Sequence, residues 1–282
     1  MLLLLWVLSF NVYFYQFDHE IVYKNATYMA LSVSTKAATA PEWSRFPWVV
    51  AVTPTKYRIT QKADLTRLAQ TFRWLHKFHW ILVEDGNATN PVVSGLLKRL
   101  IANHSYLSAR ANRSIPGKGM SQRNKALDWL RNSHFRNETG VLYFADDDNT
   151  YDLRLFSYIR QVKKIGVWSV GLAGGSLVEM PRVYKGTVVG WDVRFGQDRT
   201  FACDMAGFAI NLAVLFRTDA RFRDNCAPGL QESCFLDQLH LTLSDLEPFG
   251  FEPRTKREVL VWHTRTARLA YRHNGDTKGF EI

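Results

Sequence analysis

Short continuous apolar runs alternate with amphipathic segments from residue 47 to residue 162, and this alternation constrains the fold most strongly. The runs span residues 48–52, 80–83, 106–109 and 141–145. Strands that are apolar on both sides are typical of a parallel sheet covered by helices on both faces. The sequence therefore predicts an α/β fold with a mostly parallel central sheet.

Three polar segments directly follow predicted strands: Thr53-Pro54-Thr55, Glu84-Asp85-Gly86 and Asp146-Asp147-Asp148. Ligands of such sheets bind beyond the carboxyl ends of the strands, so these segments are expected to meet at one edge. After residue 167 the regular alternation gives way to Gly-rich turns and strand-like stretches. This second half is predicted to complete the sheet.

The three aspartates at residues 146–148 repel one another unless a cation or a base pairs with them. Carboxylate oxygens suit hard divalent ions such as Mn²⁺ or Mg²⁺, and an open site would be completed by substrate phosphates. Because a strand directs successive side chains to opposite faces, the three cannot all bind one ion. The alternative is an acidic turn in which Asp148, Asn149 or Asp152 caps the next helix.

Other polar residues stand where strands and helices are predicted to begin or end. Arg123 opens a predicted helix, where it pairs with an aspartate or is simply a surface residue. Glu232 lies in the first turn of another, either as a general base or as a partner of the helix dipole. His263 and Arg265 end a predicted buried strand at residues 259–265, although a structural, hydrogen-bonded His263 is the alternative. The chain contains neither GxxxxGK[ST] nor GxGxxG, which argues against a P-loop kinase or a dehydrogenase.

Residues 1–17 carry no charge and are predicted to be a membrane anchor, with a buried strand or helix as the alternative. Residues 18–46 are predicted to be a stem. An apolar leader with five Asn-x-Ser/Thr sequons favours the secretory lumen. The sequons begin at Asn25, Asn87, Asn103, Asn112 and Asn137.

The net charge of +10 is scattered, without a basic arm of the kind that binds nucleic acid. It indicates either a solvated basic surface or polyanionic partners such as nucleotide phosphates. Three cysteines, Cys203, Cys226 and Cys234, allow one bridge with one free thiol, or three buried thiols.

Taken in order, these motifs resemble the β1,3-glucuronyltransferase family, glycosyltransferase family 43, over about residues 47–265. The matching segments are Val52-Thr53-Pro54-Thr55, Val83-Glu84-Asp85, Gln122-Arg123-Asn124, Phe144-Ala145-Asp146-Asp147-Asp148-Asn149, Asp204-Met205-Ala206-Gly207-Phe208-Ala209, Gln231-Glu232-Ser233 and Trp262-His263-Thr264-Arg265-Thr266. In one departure, Lys56 stands where the family usually has a uracil-stacking Tyr, and Tyr57 follows one place later.

The resemblance implies a GT-A fold in which a donor half, residues 47–150, and an acceptor half, residues 151–282, are fused in one catalytic domain. It implies Mn²⁺ and UDP-glucuronic acid, with inversion at the anomeric carbon. On the donor side, the implied site has Pro54 and Asp85 at the nucleotide, Asp147 at the ribose, and Asp146 with Arg123 near the glucuronate. The resemblance also implies that His263 and Arg265 contact the diphosphate and that Asp148 binds the metal. It implies that Glu232 is the base and that the acceptor galactose is held by Glu179, Arg199 and Asp204.

The function expected from this resemblance is transfer of glucuronic acid to the 3-hydroxyl of a terminal β-galactose. The acceptor is either the proteoglycan linkage region (Gal-Gal-Xyl-protein) or an N-acetyllactosamine end. The chain is expected to be a single-pass type II Golgi membrane protein with a luminal catalytic domain, and family dimers imply a homodimer. The alternatives are a non-catalytic glycan-binding relative and a transferase on the same fold that uses another donor.

Overall fold

The computed structural model describes residues 41–252, 256–267 and 277–281. The predicted anchor at residues 1–17 and residues 18–40 of the predicted stem lie outside the described residues. The described end of the stem contains a short 3₁₀ helix, Glu42–Arg45, whose Trp43 stacks on His76 with 5.0 Å between the ring centroids. Within the described residues, no helix has both the length and the apolar composition needed to cross a membrane.

A seven-stranded sheet forms the centre of the described chain. In spatial order its strands are β11 (Leu246–Pro248), β6 (Ile165–Val167), β10 (Phe208–Asn211), β4 (Gly140–Phe144), β1 (Trp48–Thr55), β2 (Phe78–Glu84) and β3 (His104–Ser108). Strands β4, β1, β2 and β3 run parallel to one another, as do β11 and β6, whereas β10 is antiparallel to both of its neighbours. The predicted mostly parallel sheet is therefore confirmed.

Helices pack on both faces of this sheet, as predicted. In chain order they are α1 (Gln61–Phe72), α2 (Pro91–Leu100), α3 (Met120–Arg131), α4 (Leu155–Ile159), α5 (Leu212–Leu215) and α6 (Gln231–Asp237). Val50 and Val52 of β1 pack with α3 in one apolar cluster, whereas Val49 and Ala51 pack with α1 and α2 in another. Because successive strand side chains point to opposite faces, one continuous apolar run serves two cores.

A second sheet is the main departure from the predicted architecture. Its strands, in spatial order, are β5 (Thr150–Tyr151), β12 (Val261–Trp262), β7 (Val170–Gly171), β8 (Val178–Tyr184) and β9 (Thr187–Asp192). The second half of the chain thus adds three strands to the central sheet and builds this separate one. The strand predicted at residues 259–265 is only two residues long and pairs here, with β5 and β7.

The carboxyl ends of β1, β2 and β4 meet at one edge, as predicted. The segment Thr53-Pro54-Thr55, predicted as a loop, instead forms the last three residues of β1. These residues stay in register with β2 as far as the pair Thr55 and Glu84, so Pro54 does not end the strand. The next residue, Asp85, donates its backbone N–H to the Thr55 carbonyl at 2.7 Å. The sheet therefore places Asp85 beside the end of β1.

Candidate active site

Asp146 follows β4 and pairs with Arg123 in the first turn of α3. The Arg123 side chain is only 3% exposed, whereas that of Asp146 is 27% exposed. Burial raises the pKa of Asp146, and the nearby Asp204 and Asp147 add to this against the opposing charge of Arg123. The predicted pairing of Arg123 with an aspartate of the triad is thus confirmed, and the carboxylate lies on the more open side of the pair.

Asp147 points in another direction and is buried. Its Oδ2 atom accepts hydrogen bonds from Thr55 Oγ1 at 2.7 Å and from an Arg58 amino group at 2.8 Å. The end of β1 and the loop after it therefore hold this carboxylate in place. Its role at a ribose stays a prediction.

Asp148 is half-buried, and the backbone N–H of Thr266 lies beside its carboxylate. Its backbone carbonyl accepts the Thr264 hydroxyl at 2.6 Å. Burial raises the pKa of Asp148, and repulsion from Asp147 and Asp146 raises it further. Among the described residues, no three His, Cys, Asp or Glu side chains are grouped to hold a metal.

The edge of the sheet that is predicted to bind the nucleotide lies at the ends of β1 and β2. Asp85 accepts the backbone N–H of Ala111 at 2.9 Å, which ties the loop after β3 to this edge. In the same loop, Gly119 has a φ of 76°, and a Cβ there would lie 2.8 Å from the Pro54 ring. The close approach of this loop to Pro54 therefore requires glycine. Tyr57 is 76% exposed beyond the end of β1, and its replacement of the uracil-stacking Tyr stays a prediction.

His263 and Asp204 form a hydrogen-bonded pair, with 2.9 Å between Nδ1 and Oδ2. The other Asp204 oxygen accepts the backbone N–H of Ala206 at 2.9 Å, which fixes the carboxylate. The bond to Asp204 raises the pKa of His263, although burial opposes it. The structure thus joins a residue predicted at the diphosphate to one predicted at the acceptor. Arg265, two residues further on, is exposed.

Glu232 lies in the first turn of α6 and is half-buried. Burial raises its pKa to about 7, and Asp204 contributes in the same direction, while Arg123 and Arg199 oppose the shift. A carboxylate that titrates near neutral pH is suited to accept a proton in catalysis. The environment of Glu232 therefore favours a base over a simple partner of the helix dipole.

The predicted acceptor residues Glu179 and Arg199 lie near Asp204. Glu179 and Asp204 line one small cavity with Cys203, and burial raises the pKa of Glu179. Arg199 donates to the carbonyls of Phe195, Gly196 and Gly229 at 3.0, 3.1 and 3.2 Å. Arg199 thus connects the loop after β9 to the loop before α6. A larger groove at the opposite edge of the sheet, which reaches from Pro47 to Phe249, contains none of the predicted site residues.

A disulfide between Cys226 and Cys234 ties the loop before α6 to the helix itself. Cys203 is a buried free thiol, so the alternative of one bridge and one free cysteine is the one observed. Ser233 also donates to the Phe201 carbonyl at 2.7 Å. Glu232 therefore directly precedes two residues, Ser233 and Cys234, that are fixed to other parts of the chain.

Replacing both Cys226 and Cys234 by Ser is expected to lower the free energy of unfolding by roughly 2–3 kcal/mol, the loop-closure value for a short loop. Urea denaturation of the double variant and of wild type measures this difference. Cys203→Ala, which keeps the bridge, is the control for loss of a cysteine. Equal unfolding free energies for the double variant and wild type would show that the bridge contributes nothing.

Four residues around the aspartates were not predicted from the sequence: Thr55, Arg58, Asp64 and Thr266. Arg58 bridges Asp147 and Asp64, and Thr266 donates to Asp64 at 2.6 Å. An isolated Arg in a loop carries no pattern. An Asp in a first helical turn looks like an ordinary partner of the helix dipole. Only the folded contacts reveal these residues.

Comparison with known proteins identifies the family of this chain. Residues 68–267 match the model of glycosyltransferase family 43. A human protein named galactosylgalactosylxylosylprotein 3-beta-glucuronosyltransferase 2 is 46% identical over 233 residues, which cover 80% of this chain and 71% of the relative. A rat protein named galactosylgalactosylxylosylprotein 3-beta-glucuronosyltransferase 1 is 43% identical over 257 residues, covering 85% and 75%.

A solved structure of Staphylococcus aureus TarS 1–349 in complex with UDP-GlcNAc superposes with a TM-score of 0.51 at 15% identity. The match covers 79% of this chain and 61% of TarS 1–349, so this chain spans about three fifths of that structure. At this identity the likeness shows the fold alone, and the predicted GT-A architecture is confirmed. Fold, family model and relatives agree that this chain is an enzyme belonging to glycosyltransferase family 43.

Proposed function

We propose that this glycosyltransferase moves glucuronic acid from UDP-glucuronate to the 3-hydroxyl of a terminal β-galactose, with inversion at the anomeric carbon. The observation that carries the proposal is Glu232, a half-buried carboxyl whose pKa is raised to about 7 beside Asp204 and Arg199. The names of the related glucuronosyltransferases support the choice of donor and acceptor.

On the acceptor side, Glu232 would take the proton of the galactose 3-hydroxyl as that oxygen attacks C1 of the glucuronate. The bond from C1 to the diphosphate oxygen breaks with its electron pair, and UDP leaves from the opposite face. Glu232 ends the step protonated. Glu179, Arg199 and Asp204 would orient the galactose, since all three lie near Glu232 or near one another.

On the donor side, Asp148 would hold Mn²⁺. The fit rests on its chemistry: it is a half-exposed carboxylate that two neighbouring carboxylates repel. An ion held by this carboxylate would occupy an open site suited to a hard cation, and would supply positive charge against the leaving diphosphate. His263 and Arg265 would add positive charge near the same phosphates.

Asp146 is the member of its pair that can reach the donor. Arg123 is nearly enclosed, so it would serve the glucuronate by orienting Asp146 and by lending positive charge from behind it. The Asp147 carboxylate, fixed by Thr55 and Arg58, would meet the ribose with its remaining oxygen.

We place the enzyme in the Golgi membrane as a single-pass type II protein with a luminal catalytic domain. The uncharged leader and the sequons support this location. The cystine between Cys226 and Cys234 also supports it, because disulfides persist in oxidising compartments. The acceptor we favour is the proteoglycan linkage region, Gal-Gal-Xyl, because the related proteins are named galactosylgalactosylxylosylprotein glucuronosyltransferases.

The full chain, incubated with UDP-[¹⁴C]glucuronate, Mn²⁺ and either Gal-Gal-Xyl or N-acetyllactosamine, is expected to label Gal-Gal-Xyl preferentially. A panel of other UDP-sugars serves as the control for donor choice. Preferential labelling of N-acetyllactosamine would move the acceptor to glycoprotein ends. If the folded protein transfers nothing and binds galactosides independently of Mn²⁺ and UDP, the chain would instead be a non-catalytic glycan-binding relative.

A further inference from the structure

Asp64 lies in the first turn of α1, and its side chain is only 3% exposed. Its Oδ2 atom accepts two bonds from Arg58, at 3.2 and 2.8 Å. Its Oδ1 atom accepts one from Arg67 at 2.7 Å and one from the Thr266 hydroxyl at 2.6 Å. Burying a carboxylate is costly unless it is paired and hydrogen-bonded, and Asp64 meets both conditions.

From the Oδ2 side of Asp64, the contacts lead to the aspartate triad. The Arg58 guanidinium uses one edge for Asp64 and its remaining amino group for Asp147, at 2.8 Å. Although burial lowers the pKa of Arg58, its hydrogen bonds to Asp147 and Asp64 raise it overall, so the guanidinium stays charged. One planar cation therefore fixes the position of Asp147 relative to a buried carboxylate.

The contacts of the Asp64 Oδ1 atom also connect to the aspartate triad, through a different set of residues. Asp64 accepts a hydrogen bond from the Thr266 hydroxyl, and the backbone N–H of Thr266 lies beside the Asp148 carboxylate. Thr264 donates to the Asp148 carbonyl. Arg265, predicted to contact the donor phosphates, lies between these two threonines in the chain. The segment 264–266 is thus fixed at both ends against Asp64 and Asp148.

We propose that Asp64 is a positioning residue for donor binding, which holds Asp147 through Arg58 and holds Asp148 and the Arg265 segment through Thr266. Asp64 touches neither substrate nor metal in this scheme. It acts by fixing the orientations of the Asp147 and Asp148 carboxylates and the position of the backbone segment 264–266. The inference rests on the proposed use of a metal-bound nucleoside diphosphate.

This role differs from that of a buried ion pair that only stabilises the fold. A purely structural Asp64 would lower the melting temperature when replaced, but a folded variant would bind the donor normally. A positioning Asp64 affects the donor and the metal selectively, because the acceptor residues Glu179, Arg199 and Asp204 make none of the bonds to Asp64 described above.

Asp64→Asn tests the inference with little change of shape. The amide keeps one acceptor oxygen but turns an N–H₂ group towards either Arg58 or Arg67, whose guanidinium groups can only donate. The dissociation constant of UDP in the presence of MnCl₂, measured by calorimetry, is expected to rise about tenfold or more, as when partners behind a metal ligand are removed. The KM for UDP-glucuronate should rise in parallel, while the KM for Gal-Gal-Xyl stays within about twofold of wild type.

Thr266→Val removes a single partly buried hydroxyl and keeps the backbone of residue 266 beside Asp148. It therefore tests the positioning role even if Asp64→Asn fails to fold. It is expected to weaken UDP binding about fivefold, which corresponds to the free energy of one hydrogen bond. Asp152→Asn, which breaks an exposed aspartate–arginine pair with Arg154, is the matched control and should bind UDP normally.

The outcomes separate the inference from the function on which it rests. Wild-type protein that does not bind UDP with MnCl₂ would overturn the proposed donor site as well as the positioning role. Wild type that binds UDP, with folded Asp64→Asn and Thr266→Val variants that bind it equally well, would overturn the positioning role alone. Selective weakening of UDP binding in either variant supports it.

Discussion

Replacing Glu232 by Gln is expected to lower kcat by roughly 10²- to 10⁴-fold, the usual contribution of a general base. The amide keeps the shape of the side chain but cannot accept the proton of the galactose hydroxyl. UDP binding with MnCl₂, measured by calorimetry, should remain at the wild-type value, because the aspartates at the donor edge are untouched. Retained turnover would refute the assignment of Glu232 as the base.

The pH dependence gives an independent check on the same residue. Since the pKa of Glu232 is about 7, the wild-type rate should fall about tenfold per pH unit below that value. The raised pKa also means that ionisation of Glu232 costs the folded state stability as the pH rises from the ordinary carboxyl range through about 7. The Gln variant does not ionise, so its Tm at pH 8 should be no lower than that of wild type. Low activity with a lower Tm would indicate misfolding instead.

Replacing Asp148 by Asn is expected to reduce activity by more than about 100-fold and to abolish the dependence of UDP binding on Mn²⁺. The neutral amide is a weak ligand for a hard divalent ion, and the leaving diphosphate then keeps its charge. Calorimetric titration of UDP with and without MnCl₂ measures the effect directly. Asp152→Asn again provides the matched control, since Asp152 is the next acidic residue along the chain and pairs with Arg154. Metal-dependent UDP binding by Asp148→Asn would place the ion elsewhere.

The central sheet was predictable because its parallel strands are buried on both faces and leave continuous apolar runs in the sequence. The second sheet was not, because β5 and β7 have only two residues each, too few to form a pattern. The strand predicted at residues 259–265 forms only the two residues of β12. The end of β1 was misjudged at Pro54, which ordinarily marks the edge or the end of a strand. Pairing with β2 continues β1 to Thr55, three residues beyond Val52, where its pairing with β4 stops.

The site shows the same division between local and long-range information. The aspartate triad, Arg123 and Glu232 stand at the ends of predicted elements, where position alone marks them as candidates. Asp64 and Thr266 are separated by 202 residues, and Arg58 and Asp147 by 89. Bonds between such distant residues follow from how the loop after β1 and helix α1 pack against the segments that follow β4 and β12, and short sequence motifs do not predict them.

Under the proposed roles, the hydrogen bond between His263 and Asp204 would give the enzyme a thermodynamic link between its two substrates. His263 is predicted at the leaving group and Asp204 at the incoming sugar, so a ligand that strengthens or weakens this bond would alter the binding of the other. Such effects are reciprocal: UDP must change the affinity for the galactoside by the same factor by which the galactoside changes the affinity for UDP. The coupling free energy between the two substrates would therefore depend on one imidazole and one carboxylate.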